Sequence, residues 1–143
     1  MIKVDKYKAQ KQIALTWMIG SCIFIIAFLV ITMTRPDAEM GEWKWLIGSL
    51  SPGLTLITTS FIYASLKPEI IKSQKIDRYF MRLVNGSSLF YLFVLLIIII
   101  TIPISESDDK TMITHINKYS ILIGFIQAIV LGLLGIFFSK NDG

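Results

Sequence analysis

The sequence predicts an all-α integral membrane protein: a four-transmembrane-helix bundle with N and C termini cytoplasmic and no soluble domain. Three observations predict it. Of the 143 residues, 54% are hydrophobic and only 17% charged, whereas a soluble domain holds about 45–50% apolar residues interleaved with charge. The charges are also expelled from four blocks, Ile13–Thr34, Leu46–Leu66, Ser88–Ile104 and Tyr119–Phe138, none of which contains Asp, Glu, Lys, Arg or His. A helix needs roughly 20 apolar residues to cross about 30 Å of hydrocarbon, and the blocks are about that long. Finally, Lys and Arg segregate. Lys3, Lys6, Lys8, Lys11, Lys67, Lys72, Lys75, Arg78, Arg82 and Lys140 fall on one side, against Arg35, Lys44, Lys110 and Lys118 on the other. Cytoplasmic loops carry the excess of these residues, which places both termini and the loop 67–87 inside a cytoplasmic (inner) membrane as a multi-pass protein. A β-barrel does not fit, since "LFVLLIIIITIPI" lacks the polar–apolar alternation of barrel strands. Residues 1–143 thus read as a single membrane domain, with loops too short for a folded extramembrane unit and no internal repeat beyond shared hydrophobicity.

The first span, 13–34, is too long for the apolar part of a signal peptide, about 7–15 residues, and no A-x-A-like site follows it. It is expected to stay in the mature protein. Cys22, beside Gly20 and Ser21, reads as a small packing residue, and a single cysteine offers no disulfide within the chain.

In the second span, 46–66, the hydroxyls collect in "SLSPGLTLITTS". At 100° per residue Leu46, Leu50, Leu54, Ile57 and Phe61 share one side, and Gly48, Pro52, Thr55, Thr59 and Tyr63 the other, with Ser51 and Thr58 beside them. This predicts a polar seam turned away from lipid, either packing through interhelical hydrogen bonds or lining a pore, with packing the preferred reading. Proline cannot donate to the carbonyl four residues back, so Pro52 frees that of Gly48. A kinked but continuous helix is expected, because the piece after Pro52 is too short to cross alone.

The basic cytoplasmic loop 67–87 places Lys72, Lys75, Arg78 and Arg82 on one sector of an amphipathic stretch, suited to lipid headgroups or an acidic surface of a cytosolic partner. Asn85-Gly86-Ser87-Ser88 then reads as a turn and N-cap. The third span, 88–104, is almost entirely large aliphatic and aromatic, which predicts that much of it faces lipid, with Pro103 marking its end. In the fourth, 119–138, Gly124, Ala128 and Gly132 form a small-xxx-small stripe that Gly135 extends and Gln127 flanks. Such stripes let helix backbones meet, within one chain or between copies, so this face is the expected packing or oligomer interface.

Nothing in the sequence assembles catalysis, so no enzyme, no cofactor and no metal is expected. His115 lies near Asp108 and Asp109 but lacks the second histidine or cysteine cluster of a metal site, and no phosphate-binding glycine motif is present. Ion-coupled transporters keep an ionisable group within the membrane, and the four blocks have none, which disfavours a small transporter. The net charge of +4 is explained by topology, so no nucleic-acid binding by the chain itself is expected.

In span number and polarity the chain resembles the compact four-span subunits of bacterial antiviral systems such as Kiwa, and looks like colicin immunity proteins. The resemblance implies a subunit of antiviral defence or immunity. With no soluble domain of its own, such a subunit is expected to self-associate as a homo-oligomer in the lipid bilayer and to anchor or signal to a separately encoded cytosolic protein partner. The alternative is an oligomeric channel or holin-like pore lined by the hydroxyl face of the second span.

Overall fold

Each half of the chain opens on the same pattern, K-V-D-K-Y at Lys3–Tyr7 and K-I-D-R-Y at Lys75–Tyr79, and in the computed structural model both adopt one shape. The structure describes residues 3–34, 40–66, 75–101 and 112–139. Its elements run β1 (Lys3–Asp5), α1 (Lys6–Met33), α2 (Met40–Leu66), β2 (Lys75–Asp77), α3 (Arg78–Thr101) and α4 (Met112–Ser139). The aspartate closing each strand starts the helix that follows. Asp5 Oδ1 accepts from the Tyr7 backbone N–H at 3.0 Å, and Asp77 Oδ1 from that of Tyr79 at 3.2 Å. Both satisfy a donor that the first helical turn leaves unpaired.

The strands pair antiparallel, Lys3 with Asp77, Val4 with Ile76 and Asp5 with Lys75. Exchanging the two strands returns the same pairing, so a local two-fold axis passes through the Val4–Ile76 pair. The correspondence extends to the helix starts: α1 and α3 begin at 6 and 78, 72 residues apart. Buried positions of α1 also recur on α3, as Ile13 and Val84, Ser21 and Leu92, Phe24 and Leu95, Phe28 and Ile99. That spacing is 71, which turns the second helix by about 100° relative to its strand. The sequence reading found no repeat beyond shared hydrophobicity; the strand, aspartate cap and helix start do form one, over Lys3–Tyr7 and Lys75–Tyr79. It was hard to see because only Lys, Asp and Tyr are identical within those five positions.

The four helices are long and apolar enough to cross a membrane. Phe28 near the end of α1 meets Trp43 near the start of α2, with centroids 5.0 Å apart, and Phe137 near the end of α4 meets Phe80 near the start of α3 at 6.2 Å. Thus α1 and α3 run one way, and α2 and α4 return. The core is filled by Ile13, Trp17, Phe28, Leu46, Tyr91, Leu95, Ile99, Leu134 and Phe137. Ile23, Ile26, Phe90, Phe93, Ile121 and Phe125 face outward, as an apolar solvent allows.

One expectation about the third span is corrected. Its helix begins at Arg78, so Asn85-Gly86-Ser87-Ser88 lies inside α3 rather than forming a turn. Asp77 supplies the cap further back, and the Ser87 hydroxyl donates to the Leu83 carbonyl at 2.8 Å, satisfied within the helix. Along the span, Leu89, Phe90, Phe93, Ile97 and Ile100 face outward, while Val84, Ser88, Tyr91, Leu92, Leu95, Ile98 and Ile99 form a buried side. The segment 67–87 is accordingly not one loop: β2 and the first turns of α3 occupy its second part.

Candidate functional site

Helix α2 continues unbroken from Met40 to Leu66 through Pro52. The carbonyl that Pro52 leaves without its helical donor is that of Gly48. Two other helices answer this turn of backbone. Gln127 Nε2 on α4 donates to the Gly48 and Ser49 carbonyls, both at 3.3 Å, and the Tyr91 hydroxyl on α3 donates to the Ser49 carbonyl at 2.7 Å. Tyr91 is fully buried, so its hydroxyl needs a partner that water does not provide. The Ser49 hydroxyl donates to Trp45 O of its own helix at 2.9 Å, which leaves its carbonyl to the neighbours.

The first helix closes this knot from the other side. Trp17, 1% exposed, stacks on Tyr91 with centroids 5.9 Å apart and planes 29° from parallel. Its ring lies directly against Gly53, where a Cβ would overlap the ring carbons. Gly53 is thus the position at which α2 admits the indole. Trp17, Gly53 and Tyr91 were not singled out from the sequence. The available signal was an aromatic with a polar tip, Trp17 and Tyr91, in each of two spans whose other aromatics are all phenylalanine.

The rest of α2 reverses the orientation expected for a seam packed within the bundle. Leu46, Leu50 and Ile57 are buried and Leu54 and Phe61 half-buried, whereas Gly48, Ser51, Thr55, Thr58 and Thr59 are exposed and Pro52 half-buried. The hydroxyl face therefore lies outside the single chain. The bulkier face goes in because it fills the space around Trp17 and Phe28, and Gly53 on that side makes room for the indole. Ser60, half-buried, donates back to Leu56 O at 2.8 Å.

The stripe of α4 is likewise outward. Gly124, Ala128 and Gly132 are exposed and Gly135 half-buried, and a Cβ added at Gly48, Gly124, Gly132 or Gly135 would meet nothing within 4 Å. Gln127 is half-buried at the junction, reaching across to Gly48. The two outward faces are thereby brought side by side along the α2–α4 contact. Of the basic set, Lys75 on β2 and Arg78 and Arg82 on α3 are all exposed. Lys72 and the side chains of Tyr63 and His115 lie outside the described residues.

Set against known proteins, the chain matches no family model, no curated protein and no solved structure.

Proposed function

We propose that the protein is a non-enzymatic, multi-pass subunit of a cytoplasmic (inner) membrane. Its copies associate through the outward face shared by α2 and α4, and its basic end, on the cytoplasmic side, holds a separately encoded cytosolic protein. The observation that carries the proposal is the open space over Gly48, Gly124, Gly132 and Gly135. Within lipid, hydrophobicity does not drive helices together; close backbone approach and hydroxyl hydrogen bonds do. A single chain leaves its glycine stripe and its exposed threonines outside, where a second copy has both to use. The four-span plan shared with Kiwa-type antiviral subunits and colicin immunity proteins fits a role in defence or immunity.

Native mass in mild detergent tests self-association. Wild-type chain is expected as an oligomer, and Gly124→Leu with Gly132→Leu as a folded, helical monomer, because a Cβ at either position meets nothing of its own bundle. An oligomer that survives both substitutions refutes the interface.

A second reading draws on the same orientation. The described core is filled by Trp17, Phe28, Tyr91 and their neighbours, so a pore lined by Ser51, Thr55 and Thr59 would form between copies, not inside one. Flux through reconstituted liposomes separates the readings: a scaffold conducts nothing, whereas a pore loses flux on Thr55→Val and Thr59→Val while keeping its oligomer mass.

A further inference from the structure

A groove of about 660 Å³ runs between α1 and α3, lined by Gln12, Leu15, Thr16, Ile19, Gly20 and Ile23 on one wall and by Leu89, Phe90, Phe93 and Leu96 on the other. Gly20 opens it by leaving the side chain of Leu92 as the floor. From Gln12 to Ile23 the groove extends about 16 Å at 1.5 Å per residue. One leaflet of hydrocarbon is about 15 Å deep. The groove is apolar along this length, and its polar lining side chains, Gln12 and Thr16, both lie toward the end where α1 and α3 begin.

Charge continues that gradient. Lys8 precedes Gln12 by four residues on α1, and Arg82 and Arg78 precede Leu89 by seven and eleven on α3, so helical spacing sets all three below the groove. All three are exposed. Between Arg82 and Leu89, a Cβ at Gly86 would meet nothing within 4 Å. Asp5 and Asp77, the acids at this end among the described residues, each direct an oxygen to a helical N–H. Both helices also begin here and present the positive ends of their dipoles.

We infer that this groove is a binding site for an anionic glycerophospholipid, with an acyl chain between α1 and α3 and the phosphate held by Lys8, Arg78 and Arg82. A zwitterionic lipid fits the apolar part equally well, so the cations supply the selectivity. A basic residue beside an anionic lipid surface contributes about fivefold in affinity. The inference rests on the proposed residence of the chain in a bilayer but not on its self-association.

Native mass spectrometry of the full chain in mild detergent, with equimolar dioleoyl phosphatidylglycerol and dioleoyl phosphatidylcholine, provides the test. Orientation in a membrane plays no part there, and oligomer mass is read independently in the same spectra. Wild-type chain is expected to retain the anionic lipid over the zwitterionic one by about tenfold or more, less so at high salt. Lys8→Gln, Arg78→Gln and Arg82→Gln together should bring the ratio close to one. Ile19→Trp fills the groove from an exposed position and should reduce both adducts several-fold, and Leu15→Trp serves the same purpose should the first variant unfold. Equal retention of the two lipids by wild-type chain overturns the inference, as does an unchanged ratio in the folded triple variant. Loss of oligomer mass in Ile19→Trp with lipid adducts intact also overturns it, by assigning the groove to a second copy.

Discussion

The halves 3–66 and 75–139 start alike and end differently. At the basic end each has a three-residue strand, an aspartate cap and a helix, paired about a local two-fold axis. Further along, the equivalence is given up. Helix α2 contributes backbone acceptors at Gly48 and Ser49 and an opening at Gly53, and α4 contributes the Gln127 amide that answers them. Local rules such as capping tolerate duplication, because each copy satisfies itself. The side-chain hydrogen bonds to Gly48 and Ser49 are not duplicated, since Ile19 and Thr55, 72 residues before Tyr91 and Gln127, carry neither a phenol nor an amide. Symmetry therefore persists in the strand pair and its caps and breaks at the side-chain contacts of α3 and α4 with α2.

The largest expected effect comes from a glycine pair that tests this contrast. Gly53→Ala drives a methyl into the buried Trp17 ring and should destabilise by about 1–3 kcal/mol. Gly86→Ala in α3, with open space around it, should instead gain up to about 1 kcal/mol from helix propensity. SDS-driven unfolding in mixed micelles measures both, and equal signs would remove Gly53 from the knot.

Next in size are the bonds between the halves. Tyr91→Phe and Gln127→Met should each cost about 0.6–2 kcal/mol. Pro52→Ala sharpens this further, because alanine returns an N–H to the Gly48 carbonyl. In that background the cost of Gln127→Met should fall, and a double-mutant cycle reads the coupling as about 0.5 kcal/mol or more. Strict additivity would mean that the amide does not serve the carbonyl freed by proline.

The smallest contrast is the one that should be absent. Asp5→Ala and Asp77→Ala each remove an N-cap acceptor and should each lose about 1 kcal/mol. The two losses should agree within about 0.5 kcal/mol, since caps equivalent by repeat act alone and sites without shared partners add. Unequal losses in the same unfolding assay would show that the repeat is one of shape only.

Sequence alone determined the helices that can cross and roughly where, because a charge within hydrocarbon costs several kcal/mol and its absence over some 20 residues is plain to read. It also located the polar features of α2 and α4: Pro52 was expected to free the Gly48 carbonyl, and Gln127 to flank the small-residue stripe. The tertiary structure joined those two and decided which way each face turns. Hydropathy has little power there, since a helix side of Leu and Ile suits lipid and core alike. What chose the Leu46–Leu50–Ile57 side of α2 for the interior was shape, the room that Gly53 leaves for Trp17, together with the match of donors on Tyr91 and Gln127 to two backbone carbonyls. Both depend on residues far apart in the chain, and only their meeting in space reveals that they fit.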